Sequence, residues 1–266
     1  MSGARAKKPP FPWGAYIAGV LTVGVLIWSA IGTGASLPVL IEGLPNVGKF
    51  FTEMVPAGKN PAEEISKVLT EIGPRLLETL RIAVAATFFG AVLALPFPLL
   101  GSRNLATKVV YFFGRAVLNF VRSIPDLVLA LLIAIAFGFN AFSGFLALLL
   151  FSFGVVAKLL CDTVETLDPG PLEAIAATGG TRVEQAVYGI FPQVAPDFAA
   201  YTLYAFEINI RSASILGLVG AGGVGVLLNK YVNFMNYGKL GMIIGIIFVL
   251  VVAIDGFSTW LRSKLV

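Results

Sequence analysis

Residues 168–182 read DPGPLEAIAATGGTR, a polar, helix-punctuated stretch in a chain that is apolar almost everywhere around it. Asp168 or Gly170 caps a helix whose first turn accepts Pro169 or Pro171, and Glu173 near its start suits the positive end of the helix dipole. Gly179 and Gly180 end the helix, because glycine takes the left-handed conformation that closes a helix without a Cβ penalty. The spacing predicts a short helix lying across a membrane face, then a second helical segment up to Pro192. On physics alone the stretch reads either as a connector or as a docking element for another protein.

The surroundings place this segment in a membrane protein. Hydrophobic residues make up 57% of the chain and charged residues 13%, and the mean hydropathy is +0.88, a composition suited to lipid. No polar stretch is long enough to bury an independent core, so one membrane domain is expected. The basic residues stand singly among apolar runs. The net charge of +4 therefore reads as cationic loops at a cytoplasmic face, with no nucleic acid implied. There is one cysteine, Cys161, and no histidine. No disulfide framework, metal centre or catalytic set is expected, and no cofactor bound by this chain.

Each crossing of a bilayer needs about 20 apolar residues, and six stretches qualify. The first, residues 13–31, follows Arg5, Lys7 and Lys8, which places residues 1–12 in the cytoplasm. Its apolar part is long for a signal peptide, so it reads as an uncleaved anchor. An outer loop over 33–75 follows. Within it Ile65, Val68, Leu69 and Ile72 share one face of an amphipathic helix, which rests on the bilayer interface or on neighbouring spans, or docks a partner. The core is expected over 76–266. Its second span, 76–100, ends in a cytoplasmic turn. The third, 109–139, exceeds one straight crossing, and Pro125 predicts a kink or break at 123–126. The fourth covers 145–160 and delivers the chain to the cytoplasmic loop 162–193. The fifth, 194–217, carries Glu207, Asn209 and Arg211. A glycine-rich outer segment precedes the sixth, 240–261, which ends at Arg262 and Lys264 in the cytoplasm. The fold class is thus all-α, with about six transmembrane helices.

The 168–192 stretch resembles the EAA coupling loop of ABC-importer permeases. In that pattern a Glu-Ala pair is followed by a Gly six residues after the Glu, and a Pro thirteen residues further on, as Glu173, Ala174, Gly179 and Pro192 are here. Ile175 stands where a second Ala is usual, Gly189 where Ile is usual and Phe191 where Leu is usual. The segments RSIPDLVLALL from Arg122, YTLYAFEINIRSA from Tyr201, LGLVGAGGVG from Leu216 and EGLPN from Glu42 resemble the phosphonate-importer branch of that superfamily. The resemblance implies a type I ABC-importer permease fold whose coupling helix sits in a groove of an ATP-binding subunit. It further implies a second permease copy, most simply a homodimer, two ATP-binding cassette subunits that hold ATP and Mg, and an external substrate-binding protein. Phosphonate, phosphate and phosphite are the implied cargoes.

Charge inside a span is costly, at least ~2.5 kcal/mol on insertion scales, so Arg122 and Arg211 need partners or a polar cavity. Two readings stand. Arg122 with Asp126 and Glu207 with Arg211 are i, i+4 pairs able to neutralise each other. Alternatively these residues, with Ser123, Asn209, Ser212 and Ser214, offer hydrogen bonds to a passing oxyanion. Gly220, Gly222 and Gly225 match G-x-G-x-x-G, but no βαβ unit surrounds them, so close packing or an outer gate is expected instead of nucleotide binding. The alternatives are a permease of an ABC importer for another small solute and, through Asp126, Glu207 and Asp255, a self-sufficient secondary transporter. A membrane enzyme would need a nucleophile, base or metal set that this sequence does not offer.

Overall fold

A computed structural model describes residues 13–34, 36–54 and 61–264; the expected cytoplasmic stretch 1–12 lies outside them. The chain divides into two units, Met1–Glu53 and Met54–Val266. The first holds α1 (Trp13–Thr33) and most of α2 (Leu37–Met54). Trp13, Leu26, Trp28 and Ile31 of α1 are exposed, as lipid-facing side chains are.

The second unit begins with α3 (Pro61–Ala94) and the short α4 (Phe97–Gly101). Here the sequence reading needs correction. The expected boundary between an outer loop, 33–75, and a core starting at 76 falls inside α3, and α2 occupies much of the same loop. Pro74 stands inside α3 without ending it. A Pro removes one backbone donor, and packing compensates for that loss: Val68 and Ile72 are buried against Val224, Leu227, Tyr231, Leu240 and Ile243. Ile65 and Leu69, expected on the same apolar face, are exposed.

The broken third span is α5 (Lys108–Ser123) and α6 (Asp126–Phe137), bent by 88° at Ile124 and Pro125. Asn140 caps α7 (Ala141–Glu165), its side chain accepting from Phe142 N and Ser143 N. Then come α8 (Gly170–Ala177), the single turn α9 (Arg182–Glu184) and a π-helical turn at Gln185–Ile190 leading into α10 (Phe191–Leu216). A 3-10 turn at Gly217–Val219, α11 (Gly225–Asn233) and α12 (Tyr237–Arg262) complete the chain.

Among the described residues four helices are long and apolar enough to cross a membrane, over Tyr16–Thr33, Ile65–Ala94, Ala141–Glu165 and Tyr237–Arg262, and the bent pair α5–α6 makes a fifth if it is one span. Helix α10 carries Glu207 and Arg211 and is less apolar, yet its 26 residues reach about 39 Å at 1.5 Å per residue, enough to cross. The six expected crossings are matched in this way. Helix α7 is the central post of the second unit. It packs on α3, α6 and α10, with Ala147, Leu148, Val156, Ala157 and Leu160 buried. Asn209 of α10 donates to Thr87 Oγ1 of α3 at 2.7 Å and to Ser152 Oγ of α7 at 2.6 Å, which ties three helices at one level.

Candidate functional site

Two places answer to the residues singled out in the sequence. The first is the loop between α7 and α10. The Asp168 side chain accepts from Gly170 N at 3.0 Å and starts α8 as the sequence predicts. At the other end Gly180 N donates to Ile175 O at 2.9 Å and Gly179 N to Ala176 O at 3.0 Å. That pair of bonds is the Schellman closure, and Gly179 supplies its left-handed residue with φ +83°. Thr181 and Glu184 then form a capping box, Thr181 N and Oγ1 both bonding Glu184 Oε2. The Thr181 amide and hydroxyl hold the Glu184 carboxyl below its ordinary pKa.

Helix α8 buries none of its residues; Glu173 and Ala174 are exposed, as is Pro192 at the start of α10. A cleft of about 280 Å³ runs beneath it, lined by Asn104, Leu105, Leu172, Glu173, Ala176 and Gln185. Two of the three departures from the EAA pattern, Ile175 and Gly189, meet under α8. A Cβ built on Gly189 would lie 3.3 Å from Ile175 Cδ1 and 3.5 Å from Leu172 Cγ. The larger side chain at 175 fills space that a larger one at 189 would need. A π-helical turn, as at Gln185–Ile190, often marks a functional segment of a helix.

The foot of α7, just before this loop, is anchored by residues the sequence reading passed over. Arg115 of α5 bonds Asp162 and Glu165 at 2.8 Å each and Gly101 O at 2.7 Å. Arg103 N donates to the same Glu165 at 2.9 Å, and Asn104 to Val164 O at 2.8 Å. The signal was present in the sequence as three charges next to the α7 end, but the partner lies some 50 residues away.

The second place is the middle of the helix bundle. Arg122 and Asp126, expected as an i, i+4 pair, form no ion pair, because Pro125 ends the helix between them and turns the chain by 88°. Both line a cavity of about 170 Å³ with Val121, Ile124, Phe151 and Val155. The Arg122 stem lies against Gly154, near the middle of the 25-residue α7. Ser123 is exposed and its hydroxyl donates to Phe120 O. On α10 the expected Glu207–Arg211 pair is present, but Glu207 also accepts from Arg262 of α12 at 2.8 Å, and Asp255 lies 3.9 Å from Arg211. Asn209 is fully buried in the three-helix tie. Ser214 is buried and bonds Ile210 O, whereas Ser212 is half-buried.

The glycine segment is packed, with little free space. Gly220, Gly222 and Gly223 have φ of +80°, +84° and +71°. Cβ atoms on Gly217 and Gly225 would collide with each other's backbone, and one on Gly222 would lie 3.0 Å from Ala141 Cα and Glu78 Oε1. Val224 N donates to Thr79 Oγ1 at 2.9 Å, pinning the loop to α3.

Comparison with known proteins places the family and the fold. The family model described as binding-protein-dependent transport system inner membrane component matches residues 86–266. The phosphate-import permease protein PhnE of Mycolicibacterium smegmatis is 36% identical over 249 residues, 91% of this chain, which spans 46% of that protein's length. The phosphite transport system permease protein PtxC of Stutzerimonas stutzeri is 34% identical over 225 residues, 84% of this chain and 79% of that one. Among solved structures, an inward-facing form of the MetNI methionine ABC transporter aligns with a TM-score of 0.64 at 20% identity, covering 73% of this chain and 96% of that one. A likeness at that identity speaks for the fold, the type I permease bundle.

Proposed function

Because the chain belongs to the inner-membrane components of binding-protein-dependent transport systems, we propose that it is the permease subunit of an ATP-driven importer for phosphonate or a related oxyanion, phosphate or phosphite. The observation that carries this reading is the similarity to phosphate and phosphite permeases over 84–91% of the chain, together with an exposed α8 that carries Glu173 and Ala174. In this reading Glu173, Ala174, Gly179 and Pro192 shape the contact with an ATP-binding cassette subunit. ATP and Mg belong to that partner, and the permease itself catalyses no reaction. Two copies of the chain form the pathway as a homodimer, with two ATPase subunits and an external binding protein. The termini and α8 face the cytoplasm, and the glycine segment with Gly220, Gly222 and Gly225 forms the outer gate.

The pathway runs past Arg122, Ser123, Asp126, Glu207, Asn209, Arg211, Ser212 and Ser214. Arg122 has no ion-pair partner among the described residues, so its charge is available to an anion, whereas Arg211 shares Glu207 with Arg262. A pathway should bind weakly, and a carboxylate competing for Arg211 lowers its hold on the cargo. Uptake of labelled phosphonate and phosphate into liposomes, with the binding protein and with or without the ATPase, tests the proposal. Uptake is expected only with both partners present. Equal uptake without the ATPase would instead favour a secondary transporter, for which Asp126, Glu207 and Asp255 would be the coupling carboxylates. Arg122→Gln should reduce uptake about tenfold while the complex still assembles, the loss expected for one hydrogen bond to a charged group.

A further inference from the structure

Helix α12 presents Asp255, Ser258 and Arg262 at i, i+3 and i+7, one face of the helix. That face meets Glu207 and Arg211 of α10, since Arg262 bonds Glu207 at 2.8 Å and Asp255 stands 3.9 Å from Arg211. On this one face three polar atoms are buried with no hydrogen bond among the described residues, Ser258 Oγ, Arg262 Nε and Asp255 Oδ1, the last being the oxygen that faces Arg211 at the longer ion-pair distance. Ser258 is 1% exposed. Its bareness contrasts with other helical hydroxyls of the chain. Thr87, Ser152, Thr202 and Ser214 each donate to the carbonyl four residues back, and Ser258 does not.

An orphaned buried polar atom costs about 1–3 kcal/mol, and lipid offers nothing to satisfy it. The level matters as well. Asn209, between Glu207 and Arg211, is bonded to Ser152 near the middle of α7, so the α10 side of the cluster lies inside the bundle, where unmatched polar groups are least tolerated, while Arg262 on its other side ends α12. The set must therefore meet water or a ligand in some state of the molecule. Arg211 and Asp255 keep 49% and 40% of their side chains exposed and Arg262 32%, whereas Glu207 keeps 15% and Ser258 is buried.

The orphans are not all of one kind. Arg262 Nε and the Ser258 hydroxyl donate, Arg211 adds a half-exposed guanidinium, and Asp255 Oδ1 only accepts. The two arginines and two carboxylates cancel in charge. A fully deprotonated oxyanion would satisfy the donors and be repelled by Asp255. A protonated one fits the whole set, its oxygens accepting from Arg262, Ser258 and Arg211 while its own P–OH donates to Asp255. We infer that Asp255, Ser258 and Arg262 of α12, with Glu207 and Arg211, form an oxyanion subsite of the pathway that selects the protonated, monoanionic form of a phosphorus oxyacid. The inference rests on the oxyanion-importer reading above and adds a helix and a protonation state to it.

The test is uptake of labelled methylphosphonate and inorganic phosphate by the reconstituted complex across the second ionisation of each anion. The same binding protein and ATPase are used in every arm, so that differences between arms belong to this chain. Wild-type uptake should fall as pH rises and the P–OH is lost. Asp255→Asn, whose amide also donates, should reduce uptake of the monoanion about tenfold and flatten the pH profile relative to wild type. Ser258→Ala should slow uptake severalfold and leave the profile's midpoint in place. A purely structural role predicts reduced assembly with an unchanged profile, which would overturn the inference. Should Asp255→Asn fail to assemble, Ser258→Ala decides, because it removes a hydroxyl that holds nothing in the fold: full wild-type uptake there overturns the inference. A wild-type complex that imports neither anion would sink the oxyanion reading itself, an outcome distinct from variants that match an active wild type.

Discussion

Gly179, closing α8, and Gly225, opening α11, are both glycines at helix ends, yet the structure uses them differently. Gly179 is left-handed at φ +83°, and a Cβ there would meet nothing within 4 Å. Gly225 is fully buried, and a Cβ there would strike the Ser214 carbonyl oxygen and the Gly217 Cα. The first glycine satisfies a local rule of chain geometry on an exposed element. The second satisfies a packing demand set by a helix end that is near in space. An element whose shape is locally determined can be carried on the surface and offered to another protein. An element held by close backbone contact cannot be changed without disturbing the fold.

The largest effect should come from Gly225→Val. Two backbone atoms stand where its side chain must go, and overpacking of this kind costs about 3 kcal/mol or more. The yield of folded, detergent-stable protein on size exclusion should drop to a small fraction of wild type, and a normal yield would break the comparison. Gly179→Val should behave in the opposite way, with normal yield but transport-linked ATP hydrolysis lowered about tenfold. Forcing a β-branched residue into the left-handed region costs about 1–2 kcal/mol and displaces the helix end. Gly179→Asn, which tolerates that region, should stay within about twofold of wild type. If Val and Asn behave alike, backbone geometry is not what matters there.

A smaller effect tests the packing beneath α8. Gly189→Ile alone presses on Ile175 and Leu172 and should reduce coupling, whereas adding Ile175→Ala should restore most of it. The double substitution exchanges the large and small positions, so an interaction energy near 1 kcal/mol is expected from the cycle. Additive losses would mean that the two positions do not share one space. The smallest effect concerns the capping box. The Glu184 carboxyl is held below its ordinary pKa, so its contribution is complete at neutral pH and is lost only as the pH falls through that lowered value. Glu184→Gln should therefore leave coupling at neutral pH within about twofold. Because the carboxyl stays ionised above its lowered pKa, wild type and variant should both show no titration at this turn between neutral and mildly acidic conditions.

The same contrast explains how much the sequence disclosed. The start and stop of α8 follow from Asp168, Gly179 and Gly180 by short-range rules, and Pro125 announces the break between α5 and α6 in the same way. The outcome of that break, an 88° turn that separates Arg122 from Asp126, was not legible, because a helical i, i+4 reading assumes a continuous helix. The continuity of α3 through Pro74 was hidden for the converse reason. Its segment before Pro74 is held by α11 and α12, more than 150 residues later. Arg262 as a second partner of Glu207 lies 55 residues away, and no spacing rule connects the two. Phase and caps are local properties, but the partners of buried charges are chosen by the tertiary fold.

The central claim is that exposed α8 is the surface through which an ATPase drives this chain. The most direct measurement is cross-linking from Glu173→Cys, in a background where the buried Cys161 is replaced by Ser, within the assembled complex and with the same label placed at Gly220→Cys for comparison. The account predicts a cross-link from position 173 to the ATPase subunit whose yield changes on ATP binding, and none from position 220. A position 173 that remains freely alkylated in the assembled complex, with no cross-link in any nucleotide state, would contradict it.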